Sequence, residues 1–496
     1  MTLAERYDAL FIDLDGVVYR GDQAIPAAIN VLPKLRRSGL LFLTNNSART
    51  PDQVAEKLGG MGVQAEPKEI LTSALATAAL LRREGAAGRT AFVIGERGVR
   101  EALQAVGIQL LDGEPDRADL VVVGWDRAVD YAKLRTASLL VERGARLIAT
   151  NADASYPAPE GLWPGAGALL AAVTTTTGAR PTVVGKPSSP LFQAAAEATG
   201  AIAPLVVGDR LDTDVGGAAA MGWDSLLVWT GATRPADLLA ARTLPTYVGE
   251  DLSVLLDERP PGRFRPATDQ DVEPLREVLE GSGLRSNGLE RRLPRTLVSR
   301  GSDGRSPVDA TACVEEFGGF GLLRSVAVRP DLRGKGLGML ATAAAVGEAR
   351  SRGAPRVFLL TETAEGFFKG LGFSVIERDT LPETIRTNAH TVEECPSSVA
   401  MAIDLHPQPG QPPPYWSPNG GGRRRPKPHP LGTSGRRGGG SAPNRSFGKN
   451  SSASSAPNVK PPMWAKKAIP PPVLTREASD PTPLNSWRTN HAPSTT

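Results

Sequence analysis

Two aspartates, Asp13 and Asp15, follow an apolar run in the sequence ALFIDLDGVVYRG, at residues 9–21. Two carboxylates one residue apart at the end of a buried strand repel each other unless a positive charge lies beside them. Mg²⁺ takes hard oxygen ligands and tolerates one or two carboxylates together with water and phosphate oxygens. The pair therefore indicates a site for a divalent cation.

Polar groups that suit a phosphate follow two other apolar runs. The run LLFLT ends in Thr44 and continues with Asn45 and Asn46, which offer a hydroxyl and two amides to phosphate oxygens. Lys186, in VVGKPSSPLF, stands just before a predicted helix and supplies a compact positive charge. These residues predict a phosphate-binding site close to the cation.

Three further carboxylates belong to the sequence LVVGDRLDTDVGGA. Asp209 ends its apolar run, and Asp212 and Asp214 lie on the turn that follows. Acids, a lysine and a Thr-Asn pair thus stand at four strand ends, a combination typical of magnesium-dependent phosphoryl transfer. All four histidines lie beyond residue 250, which excludes a histidine-phosphatase or Ser/His/Asp mechanism in the first half of the chain.

The elements that must position these residues are short β-branched runs alternating with alanine- and leucine-rich segments. The runs ALFID, LLFLT, TAFVIG, DLVVVG, RLIAT and PLVVGD are each followed by a helical pattern. This alternation predicts a parallel α/β sheet with strands buried on both faces. Ligands of such sheets bind beyond the carboxyl ends of the strands, where the polar residues are expected.

The ordered set of motifs resembles the haloacid dehalogenase superfamily, over residues 1 to about 240. DLDG, TNNS, the lysine after PGAGALLAAV, and VGDRLDTDV are most similar to the nitrophenylphosphatase and phosphoglycolate phosphatase branch. The resemblance implies a Rossmann-like parallel sheet, with the core at residues 1–71 and 181–250. It also implies an inserted α/β cap at residues 72–180, within a first domain of residues 1–250.

The resemblance also implies the roles of the acids. Asp13 would attack phosphorus and form an aspartyl phosphate, while Asp15 would protonate the leaving oxygen and then deprotonate the attacking water. Asp13, Asp209 and the backbone carbonyl of Asp15 would bind Mg²⁺. Asp214 would not bind the metal directly but would orient the residues that do.

The remaining site residues follow from the same resemblance. Thr44 and Lys186 would stabilise the charged phosphoryl group, and Thr44, Asn45 and Asn46 would bind the substrate phosphate. Contacts to the rest of the substrate depend on the cap. The candidates for these contacts are Asn46, Asp126 and Tyr156.

A second pattern begins after the Pro-Pro-Gly of LDERPPGRFRPAT, so residues 251–261 are predicted as a linker. In GLLRSVAVRPDLRGKGLGMLATAAAVGEARSRG, a strand leads through a glycine-rich basic turn into a long helix. Glycines at a helix start expose N–H groups that bind an anion such as pyrophosphate. The spacing is not that of a Rossmann turn, and a plain basic turn before a helix is the alternative.

The arrangement resembles the GCN5-related N-acetyltransferases, over residues 262–405. The resemblance implies an α+β domain that binds acetyl-coenzyme A, with Phe368 where many members have a proton-donating tyrosine. VDATACVEEFGGFG is expected to form a looser central strand pair than is usual in that family. The implied cofactor-binding residues are Val326, Val328, Arg333, Gly334, Lys335, Gly336 and Gly338.

Composition divides the net charge of +4 unevenly. Residues 406–496 hold 13 Lys and Arg against two acids and are rich in Pro, Gly and Ser, so we expect a disordered basic tail with, at most, a weak anionic partner. No apolar run is long enough to span a membrane, no secretory leader is evident, and two cysteines are too few for a disulfide framework. These features favour the cytoplasm.

The combination of domains resembles the bacterial glycerol-3-phosphate phosphatases that carry such an extension. We therefore expect hydrolysis of a small phosphomonoester, with glycerol 3-phosphate first and phosphoglycolate or a nucleotide as alternatives. A coenzyme A-sensing regulatory protein with an inactive acetyltransferase-like domain is the competing interpretation. By analogy with the family, the protein is expected to form a homo-oligomer.

Overall fold

The computed structural model describes residues 1–35, 39–158, 160–258, 260, 262–300, 307–387 and 398–405, all within one compact unit, Met1–Pro418. The predicted tail at residues 406–496 lies outside the described residues.

The strands alternate with helices through the first half of the chain. In chain order the strands are β1 (Leu10–Asp13), β2 (Tyr19–Arg20), β3 (Gln23–Ala24), β4 (Leu40–Thr44), β5 (Ile70–Thr72), β6 (Thr90–Ile94), β7 (Gln109–Leu111), β8 (Leu120–Val123), β9 (Arg146–Ala149), β10 (Ser155–Ala158), β11 (Gly161–Pro164), β12 (Thr182–Val183), β13 (Leu205–Gly208), β14 (Asp224–Val228), β15 (Tyr247–Gly249), β16 (Phe264–Pro266), β17 (Thr296–Arg300), β18 (Val308–Phe317), β19 (Phe320–Val328), β20 (Arg356–Thr361), β21 (Ser374–Ile376) and β22 (Val399–Asp404). The α-helices are α1 (Pro26–Leu35), α2 (Pro51–Gly60), α3 (Ser73–Arg83), α4 (Arg97–Ala105), α5 (Tyr131–Glu142), α6 (Ala166–Thr177), α7 (Ser189–Thr199), α8 (Gly216–Met221), α9 (Asp237–Ala240), α10 (Val272–Glu280), α11 (Leu289–Arg292), α12 (Leu337–Ser351), α13 (Glu365–Gly370) and α14 (Glu383–Arg386).

The first domain is built on a parallel sheet of six strands in the order β15-β14-β13-β1-β4-β5. Its strands are buried on both faces, as the sequence predicts. Leu10 and Ile12 of β1 pack into the hydrophobic cluster on one face, whereas Phe11 packs into the cluster on the other. The predicted Rossmann-like sheet is confirmed.

Helices α2, α3 and α5 begin at side-chain caps that the sequence carries. Thr50 caps α2 by accepting a hydrogen bond from the Gln53 N–H, the Gln53 side chain accepts the Thr50 N–H in return, and Pro51 occupies the first turn. This cap fixes where α2 starts, and hence the length of the loop that follows β4 at the carboxyl edge of the sheet.

The cap is a second parallel sheet, of five strands in the order β12-β9-β8-β6-β7, with the antiparallel hairpin β10–β11 beside it. This agrees with the inserted α/β cap. Its last strand, β12, immediately precedes the segment that carries Lys186.

The segment predicted as a linker, residues 251–261, begins with a 3₁₀-helix, Leu252–Leu256. Leu252 and Leu255 are completely buried in the core of the first domain. The first domain therefore continues through this helix.

The second domain is a seven-stranded sheet in the order β16-β17-β18-β19-β20-β22-β21. Its strands are antiparallel except for β19 and β20, which pair in parallel. The segment VDATACVEEF forms the ten-residue strand β18, which pairs along most of β19 with one irregularity between Thr311 and Cys313. The two glycines after β18 make a tight turn into β19, and the expectation of a looser strand pair stays a prediction. No described helix is both long and apolar enough to span a membrane.

Candidate active site

Three neighbouring strands bring the predicted residues to one edge of the first sheet. Strand β1 pairs in parallel with β4 on one side and β13 on the other, so their carboxyl ends lie side by side. Asp13 and Thr44 are the last residues of β1 and β4, and Asp209 follows the last residue of β13. Parallel pairing is therefore the reason that residues nearly 200 positions apart share one site.

Three buried carboxylates form the centre of this edge. Asp13, Asp209 and Asp214 each place one carboxylate oxygen within 4.8 Å of the others. Asp209 Oδ1 is buried and has no hydrogen-bond partner among the described residues. Crowded acids with an unpartnered oxygen fit a hard divalent cation, which prefers oxygen ligands.

Lys186 stands between two of these acids. Its Nζ lies 2.5 Å from Asp13 Oδ1 and 2.6 Å from Asp214 Oδ1, and its side chain is only 4% exposed. The Arg210 backbone N–H donates to the other oxygen of Asp214, at 3.2 Å. Asp214 is therefore held by partners within the protein, whereas Asp209 keeps an oxygen available.

Burial and mutual repulsion set the protonation of the cluster. Burial raises the pKa of Asp13 well above its ordinary value, although the Lys186 charge opposes this. Burial and then the Asp214 charge raise the pKa of Asp209 to about 6. Burial alone would lower the pKa of Lys186, but Asp13 and Asp214 outweigh it and the pKa is raised. A bound cation would favour the ionised acids.

Asn45 holds the lysine segment. Its Oδ1 accepts the Lys186 N–H at 2.8 Å, and its Nδ2 donates to the Lys186 carbonyl at 3.1 Å and to Asp153 Oδ2 at 3.0 Å. The predicted substrate amide is thus engaged with the protein and ties the core to the cap. Asn46 lines the cavity, and its Oδ1 accepts the Ala48 N–H at 3.0 Å.

Asp15 lies beside the cluster in a partly apolar setting. Burial raises its pKa, and the Tyr19 hydroxyl donates to Asp15 Oδ2 at 3.3 Å. Lys57 Nζ lies 4.0 Å from the centre of the Tyr19 ring and donates to the Gly21 carbonyl. The Asp15 side chain is therefore oriented by Tyr19.

A cavity of about 400 Å³ opens over these residues, between the core and the cap. Trp125 and Tyr156 of the cap form one wall, with ring centres 4.3 Å apart. Residues that sequence reasoning missed also line the cavity. Among them are Arg20, Trp125, Asn151, Asp153, Arg210, Gly231 and Ala232.

Two of the cavity-lining residues that were missed could have been predicted from the sequence. Asn151 and Asp153 follow β9 in the same way that Asn45 follows β4, so polar residues after a cap strand could have been included. Of the three candidates for contacts to the rest of the substrate, Asn46 and Tyr156 line the cavity. Asp126 instead pairs with Lys133 Nζ at 2.9 Å and is not among the lining residues.

The glycine-rich turn of the second domain has the backbone that the sequence predicts. Gly334 and Gly336 take φ values of +80° and +88°, and α12 begins at Leu337. The first N–H groups of a helix have no acceptor within the helix, so they face the turn as donors. Arg333 Nε donates to the Val328 carbonyl at 3.0 Å.

Strand β19 separates from β20 after a short parallel pairing that runs only from Gly321 to Leu323. Val326 and Val328 lie beyond this pairing, where one edge of β19 is not paired with β20. Phe368 is buried in the core of the domain, whereas Phe367 lies against Gly338, where an added Cβ would come within 3.3 Å of the ring. Neither phenylalanine can donate a proton.

Comparisons with known proteins agree with this architecture. Residues 10–109 match the haloacid dehalogenase-like hydrolase family, residues 183–255 a related hydrolase-like family, and residues 281–373 the GNAT acetyltransferase family. The chain is 39% identical over 256 residues to D-glycerol 3-phosphate phosphatase of Mycobacterium tuberculosis. This alignment covers 51% of this chain and 72% of that protein. It is 38% identical over 258 residues to an acid sugar phosphatase of Staphylococcus saprophyticus, covering 51% of this chain and 98% of that protein.

A solved structure extends the likeness through both domains. The crystal structure of glycerol phosphate phosphatase from Mycobacterium tuberculosis in complex with magnesium aligns with a TM-score of 0.59 and 31% identity. The alignment covers 74% of this chain and 98% of that one.

Fold and site together define an α/β phosphomonoester hydrolase with an inserted cap, joined to an acetyltransferase-like domain. The chain belongs to the haloacid dehalogenase-like hydrolases and is a phosphatase.

Proposed function

We propose that this phosphatase hydrolyses a small phosphomonoester in the presence of Mg²⁺, with glycerol 3-phosphate as the first candidate substrate. The observation that carries the proposal is the buried cluster of Asp13, Asp209, Asp214 and Lys186 at the carboxyl edge of the sheet. The similarity to a D-glycerol 3-phosphate phosphatase supports the substrate. Phosphoglycolate, nucleotides and sugar phosphates are the alternatives.

In the first step, an Asp13 carboxylate oxygen attacks phosphorus and the phosphorus–oxygen bond to the alcohol breaks. An aspartyl phosphate forms, and Asp15 gives its proton to the departing alkoxide oxygen. Lys186 and Thr44 offset the charge on the phosphoryl oxygens as the bonds change.

In the second step, water attacks the phosphorus of the aspartyl phosphate. Asp15 takes a proton from that water, the bond between phosphorus and Asp13 breaks, and inorganic phosphate leaves. Asp13, Asp209 and the Asp15 carbonyl would hold Mg²⁺, which when bound neutralises charge on the phosphoryl oxygens. Asp214 keeps Lys186 in place between the acids.

The experiment is a phosphate-release assay on the full chain, with glycerol 3-phosphate, phosphoglycolate, a nucleoside monophosphate and a sugar phosphate. Asp13→Asn removes the nucleophile and should lower kcat at least about a thousandfold. Asp22→Asn is the matched control, because Asp22 is an exposed acid on the following loop. Substantial turnover by the Asp13 variant would refute the covalent mechanism, and preference for another ester would reassign the substrate.

We further propose that the second domain binds acetyl-coenzyme A through the turn Arg333, Gly334, Lys335, Gly336 and Gly338. Two positive-φ glycines before a helix start, with two basic side chains, suit a pyrophosphate. Beyond Leu323 this edge of β19 is not paired with β20, which supports a pantetheine arm lying along Val326 and Val328, although the Val328 carbonyl already accepts a hydrogen bond from Arg333 Nε. The proposal concerns binding alone, because neither Phe367 nor Phe368 can donate a proton for acetyl transfer.

Calorimetry with acetyl-coenzyme A tests this binding. Gly334 is the position to change, because an added Cβ there meets nothing within 4 Å. Gly334→Asp should abolish binding through charge, and Gly334→Asn, which has the same shape and also tolerates positive φ, should retain most of it. Phosphatase activity should be unchanged in both. Absence of binding to the unaltered protein would overturn the cofactor assignment.

A further inference from the structure

The loop after β14, residues 229–234, wraps around Asp209. The Ala232 N–H donates to Asp209 Oδ2 at 2.5 Å, and the Thr233 N–H donates to the Asp209 carbonyl at 3.2 Å. Gly231 comes so close that an added Cβ would lie 1.9 Å from Oδ2. We call residues 229–234 the Asp209 loop, because these contacts occupy Oδ2 and leave Oδ1 for a cation.

The first residue of the loop, Trp229, points toward the second domain. Its backbone N–H donates to the Gly249 carbonyl at 3.0 Å, which fixes the start of the loop. Its indole packs into a hydrophobic cluster that contains residues of both domains. Trp229 Nε1 would lie 3.5 Å from a Cβ added at Gly336, in the glycine-rich turn.

The turn itself is fitted closely to the first domain. A Cβ on Gly336 would lie 2.8 Å from Val248 Cγ2, so any side chain there would push on strand β15. Lys335 Nζ, one residue earlier, pairs with Asp257 Oδ2 at 3.3 Å. The turn is therefore fixed both by shape and by charge at the place where it meets Trp229.

The far end of helix α12 is fixed to the same domain. Arg350 is partly buried and donates to the carbonyls of Leu239 and Ala241, around the short helix α9. Leu211 and Val215, from the turn that carries Asp214, pack into the same hydrophobic cluster. The turn that carries Asp214 and the loop that contacts Asp209 thus both pack against residues of the second domain.

We propose that Trp229 is a positioning residue for the magnesium ligand Asp209, and that the Gly336 turn of the acetyltransferase-like domain holds its indole in place. The inference rests on the proposed magnesium site. Without the indole, the cluster loses its contact with the Asp209 loop, and the N–H groups that orient the carboxylate become free to move. A ligand that must be ordered on binding costs affinity, so metal binding weakens more than the chemical step.

The test measures metal binding directly, by loss of the free Mn²⁺ resonance signal on titration of the metal-free full chain. Trp229→Ala should weaken Mn²⁺ binding about tenfold, within the range seen when groups behind metal ligands are removed. The Mg²⁺ concentration for half-maximal activity should rise similarly, with kcat at saturating Mg²⁺ within about twofold. Trp229→Phe keeps a ring in the cluster, so its Mn²⁺ affinity should lie between that of the unaltered protein and that of Trp229→Ala.

Trp223→Ala is the matched control. Trp223 packs on Phe11 and Phe192, in a different hydrophobic cluster from the one that holds Trp229, so its loss leaves a similar cavity away from the Asp209 loop. This variant should bind Mn²⁺ like the unaltered protein even if its Tm falls. Equal weakening in both tryptophan variants would overturn the inference, since general destabilisation would then explain it.

A second test of the proposal leaves Trp229 in place and changes the turn that packs near it. Gly336→Ala, in the other domain, should also weaken Mn²⁺ binding, because its methyl group would lie 2.8 Å from Val248 Cγ2 at a residue with φ of +88°, so that the turn beside Trp229 must shift. Unchanged Mn²⁺ affinity in both Trp229→Ala and Gly336→Ala would overturn the positioning role. If the unaltered protein binds no Mn²⁺, the proposed metal site itself fails, a result distinct from either of these.

Discussion

Lys186 and Asp13 form a buried ion pair at the centre of the site, with Nζ 2.5 Å from Oδ1. The same ammonium group lies 2.6 Å from Asp214 Oδ1, so a single cation serves two acids that are almost fully buried. Removing one member of a buried pair leaves an uncompensated charge, which is far more costly than losing a pair at the surface.

Lys186→Met should therefore destabilise the metal-free protein by about 3–5 kcal/mol and lower kcat at least about a hundredfold. Lys369→Met is the control, because Lys369 and its partner Glu365 are both exposed and lie in the second domain. That substitution should cost about 1 kcal/mol or less. Urea unfolding and phosphate release measure the two effects, and wild-type turnover in Lys186→Met would contradict the assignment.

The hydrogen bonds of Asn45 predict that Asn45→Asp and Asn45→Ala lower kcat/KM to different extents. Its Nδ2 donates to the Lys186 carbonyl and to Asp153, so both neighbours present oxygens. Asn45→Asp keeps the shape but sets a carboxylate against those oxygens, whereas Asn45→Ala only removes the contacts. We expect Asn45→Asp to lower kcat/KM about tenfold more than Asn45→Ala, as repulsion moves the lysine segment. Equal losses would show that shape alone matters there.

Removal of the metal should lower the thermal stability of the protein. The acids Asp13, Asp209 and Asp214 repel one another when no cation is bound, and only the folded chain brings them together to hold Mg²⁺ in the proposed site. Chelation should lower Tm, and Mg²⁺ at a hundred times its Kd should restore about 2.7 kcal/mol.

Asp209→Asn should lose most of this Mg²⁺-dependent gain. Asp212→Asn should keep it, because Asp212 is exposed and pairs with Arg210 instead. Scanning calorimetry with and without Mg²⁺ measures the shifts. A Tm of the unaltered protein that does not respond to Mg²⁺ would argue against the cation site.

Much of this site could be predicted from the sequence, because a polar residue after a short apolar run marks the end of a buried strand. Asp13, Thr44 and Asp209 each end a short apolar run, and the rule that parallel strands share a ligand edge brings them together without knowledge of the loops between. The same reasoning could have included Asn151 and Asp153, which follow a strand of the cap.

Contacts between domains could not be predicted in this way. Trp229 and Gly336 are separated by more than a hundred residues, and hydrophobic periodicity tells which face of an element is buried but not what covers it. The resemblance assigned Gly336 to a ligand, whereas the structure also packs it against Val248. Asn45 similarly has the residue type of a phosphate ligand, and only its hydrogen bonds reveal that it holds Lys186.

The second domain has its own buried charge cluster, and it predicts a pH-dependent stability. Asp271 has a fully buried side chain that accepts two hydrogen bonds from Arg265, at 2.7 and 2.8 Å, one from Arg300 at 3.1 Å, and the Thr268 N–H at 2.9 Å. The Arg265 hydrogen bonds hold the pKa of Asp271 well below its ordinary range.

Because the folded pKa is lower than the unfolded value of about 3.9, this stabilisation is complete above that pH and is lost as the pH falls below it. Asp271→Asn should cost about 2 kcal/mol at neutral pH, since charged hydrogen bonds disappear. The difference in Tm from the unaltered protein should shrink below about pH 4, whereas Asp269→Asn, an exposed neighbour, should change Tm little at any pH. A difference that stays constant down to about pH 3 would show that packing, and not the carboxylate charge, stabilises this corner of the domain.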